Sequence, residues 1–454
     1  MRGLLDFRGF FRSPLSALYL RPAFDRAAVP AIARLYLPLS RAWAAGLAAQ
    51  GDGQRVDAEF PELAGRRRTV TRALRRLAPR ARGFAAAAAA WEAAFFGGGE
   101  HDPTGLALME EHRARAAQAL MLGRVDFLPA HLVKRFPAIA WSMAGPEAVA
   151  RRHGPRLSAP GAGFPLADEP PAMEVSRVIE GPEFDTHWLR APGSVGGTAD
   201  TLWARVERPH GAGPHPALIF THGICMETEF WQELGSPATR LAASGFAVVR
   251  PEGPYHGRRR VAGSFGGEQV MAHGPMGLLD YFEAHVRELG ILTGWARETF
   301  GGPVAVGGVS LGALAAQLVA SAAGHWPAAM RPDGYFLVTT SDSMASVAME
   351  GCLPRALGVP RVLAAHGWSR ATLEQWQPLL DPGERPAVAP DKIVMVLGKR
   401  DRVTPFPEGQ RLVRRWGVPE ANVFLRDLGH FTTSLGLYRD PAPLVRLGAI
   451  LAAA

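Results

Sequence analysis

The sequence predicts an α/β fold in which a mostly parallel central sheet is flanked by helices and preceded by a helical region. Three observations support this prediction. Short apolar runs typical of buried strands alternate with helical stretches from about residue 173 onward, residues 1–150 contain few strand signals, and a Gly-x-Ser-x-Gly pentapeptide joins one apolar run to a helical stretch. A chain of 454 residues is long enough for one large α/β domain and an accessory domain.

The composition changes along the chain and divides it into three parts. Residues 1–150 are rich in Ala, Leu and Arg, and Asp102 followed by Pro103 is typical of a helix N-cap with proline in the first turn. We therefore expect a helical accessory or cap region there. Residues 151–172 accumulate Gly and Pro and predict a linker, and residues 173–454 carry the alternating pattern of the α/β domain.

One connection within the α/β domain is much longer than the others. Residues 341–390 separate two predicted core strands, whereas such connections usually span about 2 to 6 residues. A long insertion at this place predicts a lid that could wall a pocket for an acyl or aromatic group. Packing of the insertion onto the sheet is the alternative role for most of its large apolar side chains. These are Met344, Met349, Leu353, Leu357, Trp368, Leu373 and Trp376.

A serine lies at a predicted strand-to-helix turn. Residues 304–306 form an apolar run, Gly308 and Gly312 flank Ser310, and residues 311–320 have helical character. In the Gly-x-Ser-x-Gly pattern the turn holds its serine in a strained conformation, and side chains two positions before and after it would collide. The two glycines therefore indicate a nucleophile elbow that presents Ser310.

A serine hydroxyl is a weak nucleophile at neutral pH, so this interpretation requires a base and a carboxylate that orients the base. Residues 392–397 predict a buried strand, and the loop after it would present Asp401 at the carboxyl end. Residues 421–426 predict another short strand, and His430 is expected in the loop that follows. The order Ser310, Asp401, His430 is the chain order of hydrolases that carry a nucleophile elbow.

Two other carboxylates compete with Asp401 for the role of the acid. Asp342 follows a strand predicted at 335–340, which is an alternative acid position, and Asp427 lies three residues before His430. A separation of three residues within one loop is unfavourable for orienting an imidazole. We therefore predict Asp401 and keep the other two as alternatives.

An apolar strand predicted at 217–220 leads into the dipeptide His222-Gly223. A loop of this kind supplies one backbone N–H to the oxyanion that forms during acyl transfer, and the residue after the nucleophile supplies another. We therefore expect the oxyanion hole to consist of the N–H groups of Ile224 and Leu311, with Gly223 as a loop glycine. The imidazole of His222 is expected to be structural.

Together these residues resemble the α/β-hydrolase superfamily of serine hydrolases over roughly residues 205–447. The resemblance implies an α/β-hydrolase fold in which the serine, aspartate and histidine named above act as nucleophile, acid and base. The Pro-Tyr-x-Gly-x-Arg portion at 254–259 is similar to the branch that contains α/β-hydrolase domain-containing protein 18. Relatives often carry Asp where this chain has Glu252, which leaves open what this loop binds.

The charge of the chain is basic, with a net charge of +8, and nearly all of its positive side chains are arginine because only Lys134, Lys392 and Lys399 are lysines. One arginine cluster is expected to be the solvated or intersegment face of a helix. No nucleic-acid motif accompanies it, so we expect no nucleic-acid partner, while attraction to anionic lipid or an acidic substrate stays open. The cluster comprises Arg66, Arg67, Arg68, Arg72, Arg75, Arg76, Arg80 and Arg82.

Targeting and redox signals favour the cytoplasm. Apolar stretches of 18 residues without charge are lacking, which argues against a transmembrane segment, and residues 1–24 lack the apolar core and cleavage site of a secretory signal. Membrane-surface contact of these residues stays open, as does a homo-oligomer. Two cysteines provide no disulfide framework. Of these, Cys225 is expected to be a small buried side chain, with reactivity beside the oxyanion hole as the alternative.

The predicted reaction is the cleavage of a carboxylic ester by a serine hydrolase of the carboxylesterase class, through an acyl-enzyme intermediate. The expected partner is a small-molecule ester or acyl substrate. Neither a metal nor an organic cofactor is expected, because the histidines form no ligand spacing such as His-x-x-x-His. Amides, thioesters and acyl transfer use the same side chains and stay open. The alternative from another class is a binding protein that has kept the fold without turnover.

Overall fold

The computed structural model describes residues 21–59, 67–99, 102–158, 161, 163–211, 213–227, 239–242 and 244–453. Residues 1–20, for which the sequence leaves open a membrane-surface contact, and Arg66 of the arginine cluster lie outside these ranges. Within them, none of the helices combines the length and the apolar character that crossing a bilayer would require.

The strands in the described part of the chain form a single nine-stranded sheet. They are β1 (Glu174–Val175), β2 (Phe184–Val195), β3 (Thr198–Pro209), β4 (His215–Thr221), β5 (Ala247–Pro251), β6 (Gly301–Val309), β7 (Gly334–Val338), β8 (Ile393–Gly398) and β9 (Val423–Arg426). Their order is β1-β2-β3-β5-β4-β6-β7-β8-β9. The pairs among β1, β2, β3 and β5 are antiparallel, and all pairs from β5 through β4 to β9 are parallel. The predicted mostly parallel sheet is therefore confirmed.

Helices precede the sheet and flank it. They are α1 (Pro22–Ala31), α2 (Leu37–Ala48), α3 (Gly53–Glu59), α4 (Arg67–Phe96), α5 (Pro103–Leu122), α6 (Leu128–Val133), α7 (Pro146–His153), α8 (Thr239–Ala242), α9 (Glu268–Ala272), α10 (Pro275–Phe300), α11 (Leu311–Ala322), α12 (Met344–Glu350), α13 (Cys352–Leu357), α14 (Val359–Ala365), α15 (Arg370–Glu374), α16 (Gln377–Leu380), α17 (Phe406–Trp416), α18 (His430–Gly436) and α19 (Ala442–Ala452). A π-helical turn, Ile32–Tyr36, joins α1 to α2.

Alternate residues of the central strands pack on opposite faces of the sheet. Ile219 and Val306 belong to a buried cluster with α10 and α11, whereas Leu218 and Ala305 belong to a second cluster with α19. A period of two follows from the pleat of a strand. Because both faces are covered by helices, the parallel strands are apolar throughout, which is why they appear in the sequence as continuous apolar runs.

The N-terminal helices have a core of their own. Trp43 of α2, Leu77 of α4 and Leu120 of α5 are almost fully buried in it. The predicted N-cap of α5 is confirmed, because the Asp102 carboxylate accepts hydrogen bonds from two backbone N–H groups of the first turn, at 2.9 and 3.1 Å. This cluster also takes in Phe265 from the α/β part. The division of the chain at residues 150 and 172 stays a prediction.

The long connection at 341–390 contains the short helices α12 to α16 and lies between β7 and β8. It packs on the α/β core through buried side chains such as Leu363 and Leu380. Two of its tryptophans, Trp368 and Trp376, are buried in the same core. Whether this connection works as a lid stays a prediction.

Candidate active site

The nucleophile-elbow pattern lies between β6 and α11. Ser310 has φ 55° and ψ −120°, a backbone conformation that non-glycine residues rarely adopt. Its N–H donates a 3.0 Å hydrogen bond to the carbonyl oxygen of Val338 in the neighbouring strand β7. Strain of this kind persists only where the surroundings enforce it, and it is concentrated at functional sites.

The two glycines of the pattern allow the turn to be this tight. A Cβ atom on Gly308 would lie 2.6 Å from the carbonyl carbon of Gly312 and 2.8 Å from the carbonyl oxygen of Thr221. A Cβ on Gly312 would lie 2.5 Å from the same Thr221 oxygen. Real Cβ atoms do not approach backbone so closely, so a side chain at either position would push β6, α11 or β4 apart.

The predicted base lies next to the serine. His430 Nε2 is 3.0 Å from Ser310 Oγ, and His430 Nδ1 is 2.8 Å from Asp401 Oδ2. All three side chains are buried. One detail of the sequence prediction was wrong: His430 is the first residue of α18 rather than part of a loop, because the helix begins directly after Gly429.

The carboxylate of Asp401 is fixed by its own loop. Its Oδ1 accepts hydrogen bonds from the N–H groups of Val403 and Thr404, at 2.8 and 3.1 Å. Its Oδ2 lies 2.8 Å from the hydroxyl of Thr404. These donors fix the orientation of the carboxylate and hold one of its oxygens against His430 Nδ1. Thr404 was not among the residues predicted from the sequence, although a threonine three residues after an aspartate in a tight loop is a local capping signal.

The two alternative carboxylates are engaged elsewhere. Asp342 accepts two hydrogen bonds from the guanidinium of Arg411, at 3.0 and 2.7 Å. Burial nevertheless raises the pKa of Asp342 above its usual value. Asp427 pairs with Arg400 at 2.6 and 2.9 Å on the surface, and that hydrogen bond lowers the pKa of the Asp427 carboxyl.

The loop after β4 lies against the serine. A Cβ on Gly223 would be 3.4 Å from Ser310 Cβ and 4.0 Å from its Oγ, so the backbone passes directly beside this serine. Leu311 is the first residue of α11, where the N–H has no partner within the helix. Both segments that the sequence predicted for the oxyanion hole, the one with Ile224 and the one with Leu311, thus border Ser310.

His222 fixes the orientation of one peptide plane in this loop. Its Nε2 accepts a 3.0 Å hydrogen bond from Gly253 N–H, so the proton is on Nδ1, which donates to the carbonyl oxygen of Gly223 at 2.8 Å. In a trans peptide the C=O and the N–H point in opposite directions. The N–H of Ile224 therefore points away from His222. Burial lowers the pKa of His222 to about 4, which keeps the imidazole neutral.

A second neutral histidine holds the next residue of the loop. His256 accepts a hydrogen bond from the N–H of Cys225 at 3.2 Å and donates to Pro254 at 2.9 Å. Burial lowers the pKa of His256 well below its usual value. Cys225 itself has φ 60°, and burial raises the pKa of its thiol, so the reactive thiolate is disfavoured.

A buried charge network lies behind this loop and contains the Pro-Tyr-x-Gly-x-Arg segment. Arg259 donates to both oxygens of Glu288, at 2.8 and 2.6 Å, and to Asp200 at 2.8 Å. Glu288 lies 3.4 Å from His285, which in turn lies 2.7 Å from the hydroxyl of Thr221 at the end of β4. Arg259 of this segment therefore supports β4, the strand that precedes the loop predicted to form the oxyanion hole. Glu252 pairs with Arg258.

A cavity of about 150 Å³ opens beside Ser310. Of the described residues that line it, only Ser310 and Thr404 are polar, and the others are aliphatic, Met, Pro or Gly. The insertion at 341–390 contributes much of this wall with Met344, Leu353, Leu357, Leu363, Leu373 and Leu380. Met349 and the two tryptophans of the insertion, which the sequence offered as further wall residues, do not line the cavity.

One group of side chains away from the serine has the composition of a metal site. His153, Asp280 and Glu283 bring their ligand atoms within 4.8 Å of one another. Two arginines, however, occupy the same cluster: Arg152 donates to Asp280 at 2.9 Å, and Arg156 donates to His153 Nδ1 at 3.0 Å. Arg156 also lies 3.2 Å from the Glu283 carboxylate. Each carboxylate of the group therefore already pairs with a guanidinium, and the donor set does not fit a cation.

The strand order, the parallel core and the elbow at the end of β6 make this an α/β-hydrolase fold. Protein-family models do not match the chain, and neither do curated protein sequences. Three solved structures with weak similarity are an acetyl xylan esterase from Paenibacillus sp. R4, a bacterial brefeldin A esterase and an esterase from Pyrobaculum calidifontis.

The acetyl xylan esterase is 14% identical over 66% of this chain and 93% of its own length, with a TM-score of 0.43. The brefeldin A esterase, described as a homologue of human hormone sensitive lipase, is 19% identical over 69% of this chain and 89% of its own length, with a TM-score of 0.40. The Pyrobaculum enzyme is 15% identical over 59% of this chain and 85% of its own length, with a TM-score of 0.38. Similarity of this degree carries no inference about activity, and the resemblance to the branch of α/β-hydrolase domain-containing protein 18 stays a prediction.

Proposed function

We propose that this protein is a serine hydrolase that cleaves a carboxylic ester through an acyl-enzyme intermediate. The observation that carries the proposal is the continuous contact from Ser310 Oγ through His430 to Asp401, at 3.0 and 2.8 Å. A hydroxyl, an imidazole and an oriented carboxylate in this sequence make a serine nucleophilic at neutral pH.

In the proposed first step, Ser310 Oγ attacks the ester carbonyl carbon while His430 Nε2 takes its proton. The electron pair of the carbonyl π bond moves to the oxygen. When the C=O bond re-forms, the bond to the leaving alkoxide breaks, and the alkoxide takes the proton from the imidazolium. Asp401 accepts a hydrogen bond from Nδ1 throughout, which fixes the tautomer and stabilises the charged ring.

In the proposed second step, water hydrolyses the acyl-enzyme. Its proton passes to His430 as its oxygen adds to the acyl carbon, and Ser310 leaves with the proton when the carboxylic acid forms. The N–H groups of Ile224 and Leu311 are proposed to hold the oxyanion in both steps. Loss of one such donor typically raises the barrier by about 3 to 4 kcal/mol.

The cavity beside Ser310 supports an apolar acid component for the substrate. Its volume is about 150 Å³, and its lining offers almost no polar partner. A charged or sugar-like acyl group would lose its hydration there without compensation. We therefore propose an aliphatic acyl chain of short to medium length. The insertion at 341–390 is proposed to act as the lid over it.

A series of p-nitrophenyl esters with increasing acyl length tests the proposal. We expect hydrolysis with an optimum at a limited chain length, and a loss of roughly a thousandfold or more in Ser310→Ala. Ser158→Ala removes an exposed serine and is the matched control. Matched anilides and thioesters separate the ester from its alternatives. A folded protein that hydrolyses none of these compounds would favour the binding-protein alternative.

A further inference from the structure

We propose that Asp25, in the first N-terminal helix, is a positioning residue for His430. Asp25 Oδ2 accepts a 2.9 Å hydrogen bond from the N–H of Phe431, and its Oδ1 accepts one of 3.2 Å from the N–H of Thr432. These are the two residues that follow the proposed base. The inference rests on the proposed function, because it concerns the geometry of the serine and histidine pair.

These two hydrogen bonds are the ones that a helix N-cap normally makes. His430 is the first residue of α18, so Phe431 and Thr432 occupy the positions whose N–H groups a capping side chain accepts. The residue at the N-cap position is Gly429, which has no side chain to offer. Asp25 therefore supplies this cap from a position more than 400 residues away in the chain.

The glycine and the aspartate fit together sterically. A Cβ atom on Gly429 would overlap the carboxylate of Asp25 and lie 2.9 Å from its Cβ. The backbone of Gly429 is extended, with φ −88° and ψ −164°, so its conformation does not itself demand glycine. Gly429 is explained instead by the Asp25 carboxylate, which occupies the space that a side chain at position 429 would need.

The contact also has an electrostatic component. The first turn of a helix carries a partial positive charge, and an anion placed there stabilises it. Thr433 adds to the order of this turn by donating a 2.6 Å hydrogen bond to the carbonyl oxygen of Gly429. A fixed first turn fixes the Cα–Cβ direction of His430, and with it the 3.0 Å approach of Nε2 to Ser310.

The segment made of α1 and the π-helical turn after it is itself packed against the site. Val29 and Ala33 form a buried cluster with Leu353 and Val403, and both of the latter line the cavity beside the serine. Farther along the same segment, the hydroxyl of Tyr36 donates a 3.3 Å hydrogen bond to the carbonyl oxygen of Cys225 in the oxyanion loop. The N-terminal segment thus contacts both the loop after β4 and the start of α18, and it restrains the positions of the reacting groups that these two segments carry.

Single variants test the role of the carboxylate. Asp25→Ala should lower kcat at least about tenfold with little change in KM, and slow the labelling of the serine by a fluorophosphonate. Asp25→Asn should keep clearly more activity than Asp25→Ala, because its one amide oxygen can still accept a hydrogen bond from one of the two N–H groups. Asp52→Ala is the control, since Asp52 accepts a backbone N–H in the same region but on the surface.

A double variant distinguishes positioning from general stability. Gly429→Ser should be strongly impaired, because its Cβ meets the Asp25 side chain. Combined with Asp25→Gly, which removes the whole obstructing side chain, the new serine can cap its own helix, and kcat should rise above that of either single variant. Such a reversal is not expected from two independent losses of stability.

The outcomes are distinct. Wild type that neither hydrolyses esters nor reacts with the fluorophosphonate refutes the proposed function, and the positioning role with it. Active wild type with Asp25→Ala within twofold in kcat overturns this inference alone. A double variant no better than its parents also overturns it. Equal losses in Asp25→Asn and Asp25→Ala at reduced thermal stability would assign the contact to folding only.

Discussion

The hydroxyl of Thr404 lies 2.8 Å from Asp401 Oδ2, the same oxygen that faces His430. The hydroxyl is also 3.0 Å from the carbonyl oxygen of Thr339 and 3.2 Å from His430 Nδ1. The hydroxyl has one proton, and Asp401 Oδ2 is the nearer of the two oxygens that could accept it. By donating to Asp401 Oδ2, Thr404 limits the rotation of the carboxylate and so supports the proposed triad.

Replacement of Thr404 by valine should lower kcat by roughly 10- to 150-fold. Valine keeps the shape but loses the donor, and a hydrogen bond to a charged group contributes about 1.5 to 3 kcal/mol. Steady-state hydrolysis of a p-nitrophenyl ester measures the effect. Thr404→Ser keeps the hydroxyl and should retain most of the activity, so equal losses in both variants would contradict this role.

The choice of the acid is tested by three matched substitutions. Asp401→Asn should lower kcat by roughly 10⁴-fold, because an amide no longer selects the tautomer that leaves Nε2 free. Asp342→Asn and Asp427→Asn should stay within about threefold, since those carboxylates pair with arginines. Measurement of kcat for the three purified variants identifies the acid. A larger loss in Asp342→Asn than in Asp401→Asn would reverse the assignment.

The sequence could predict the nucleophile elbow because that motif is a local steric requirement. Gly308 and Gly312 have to be glycine wherever this turn exists, so the pattern is visible without any tertiary information. The sequence favours Asp401 but leaves Asp342 open as an alternative, because the partner that engages Asp342 is Arg411, 69 residues farther along the chain. In the structure Asp401 is the carboxylate that contacts His430.

The start of α18 shows why other features escaped prediction. Gly429 carries no capping side chain, so the sequence offers no helix start there and favours a loop for His430. The cap comes from Asp25, which no motif connects to this turn. Similarly, the neutral histidines that hold the proposed oxyanion loop act through backbone atoms, and such contacts leave no spacing pattern in the sequence.

His222 provides a test of the proposed oxyanion hole. In His222→Leu the Gly223 carbonyl loses its donor, the peptide plane is free to turn, and kcat should fall about 10- to 100-fold. His222→Asn places an amide N–H near the position of Nδ1 and should recover part of the loss. Comparison of kcat in the two variants measures the effect. No difference between them would argue against control of this peptide plane by the imidazole.

Asp381 should make the stability of the protein depend on pH. Its Oδ1 accepts a 2.6 Å hydrogen bond from Met344 N–H at the start of α12, and burial raises its pKa from 3.8 to about 7. Because the folded state holds this proton more tightly than the unfolded state, its stabilising effect is complete below about pH 4. It is lost as the pH rises from there through about 7.

Asp381→Asn should therefore be more stable than wild type at pH 8 and nearly equal to it at pH 4. A pKa unit corresponds to about 1.4 kcal/mol. The side chain keeps some contact with solvent, so we expect a gain of about 1 to 2 kcal/mol, less than the unscreened value. Urea unfolding of both proteins at the two pH values measures it. A gain that is the same at both would contradict the proton linkage.

Mass analysis of the protein after reaction with a fluorophosphonate tests the nucleophile most directly. We expect one adduct, on the proteolytic peptide that contains Ser310, and none in folded Ser310→Ala. His430→Ala should slow the reaction strongly, because the base 3.0 Å away no longer takes the proton. An adduct that persists in Ser310→Ala, or wild type that stays unlabelled although folded, would contradict a serine nucleophile at this position.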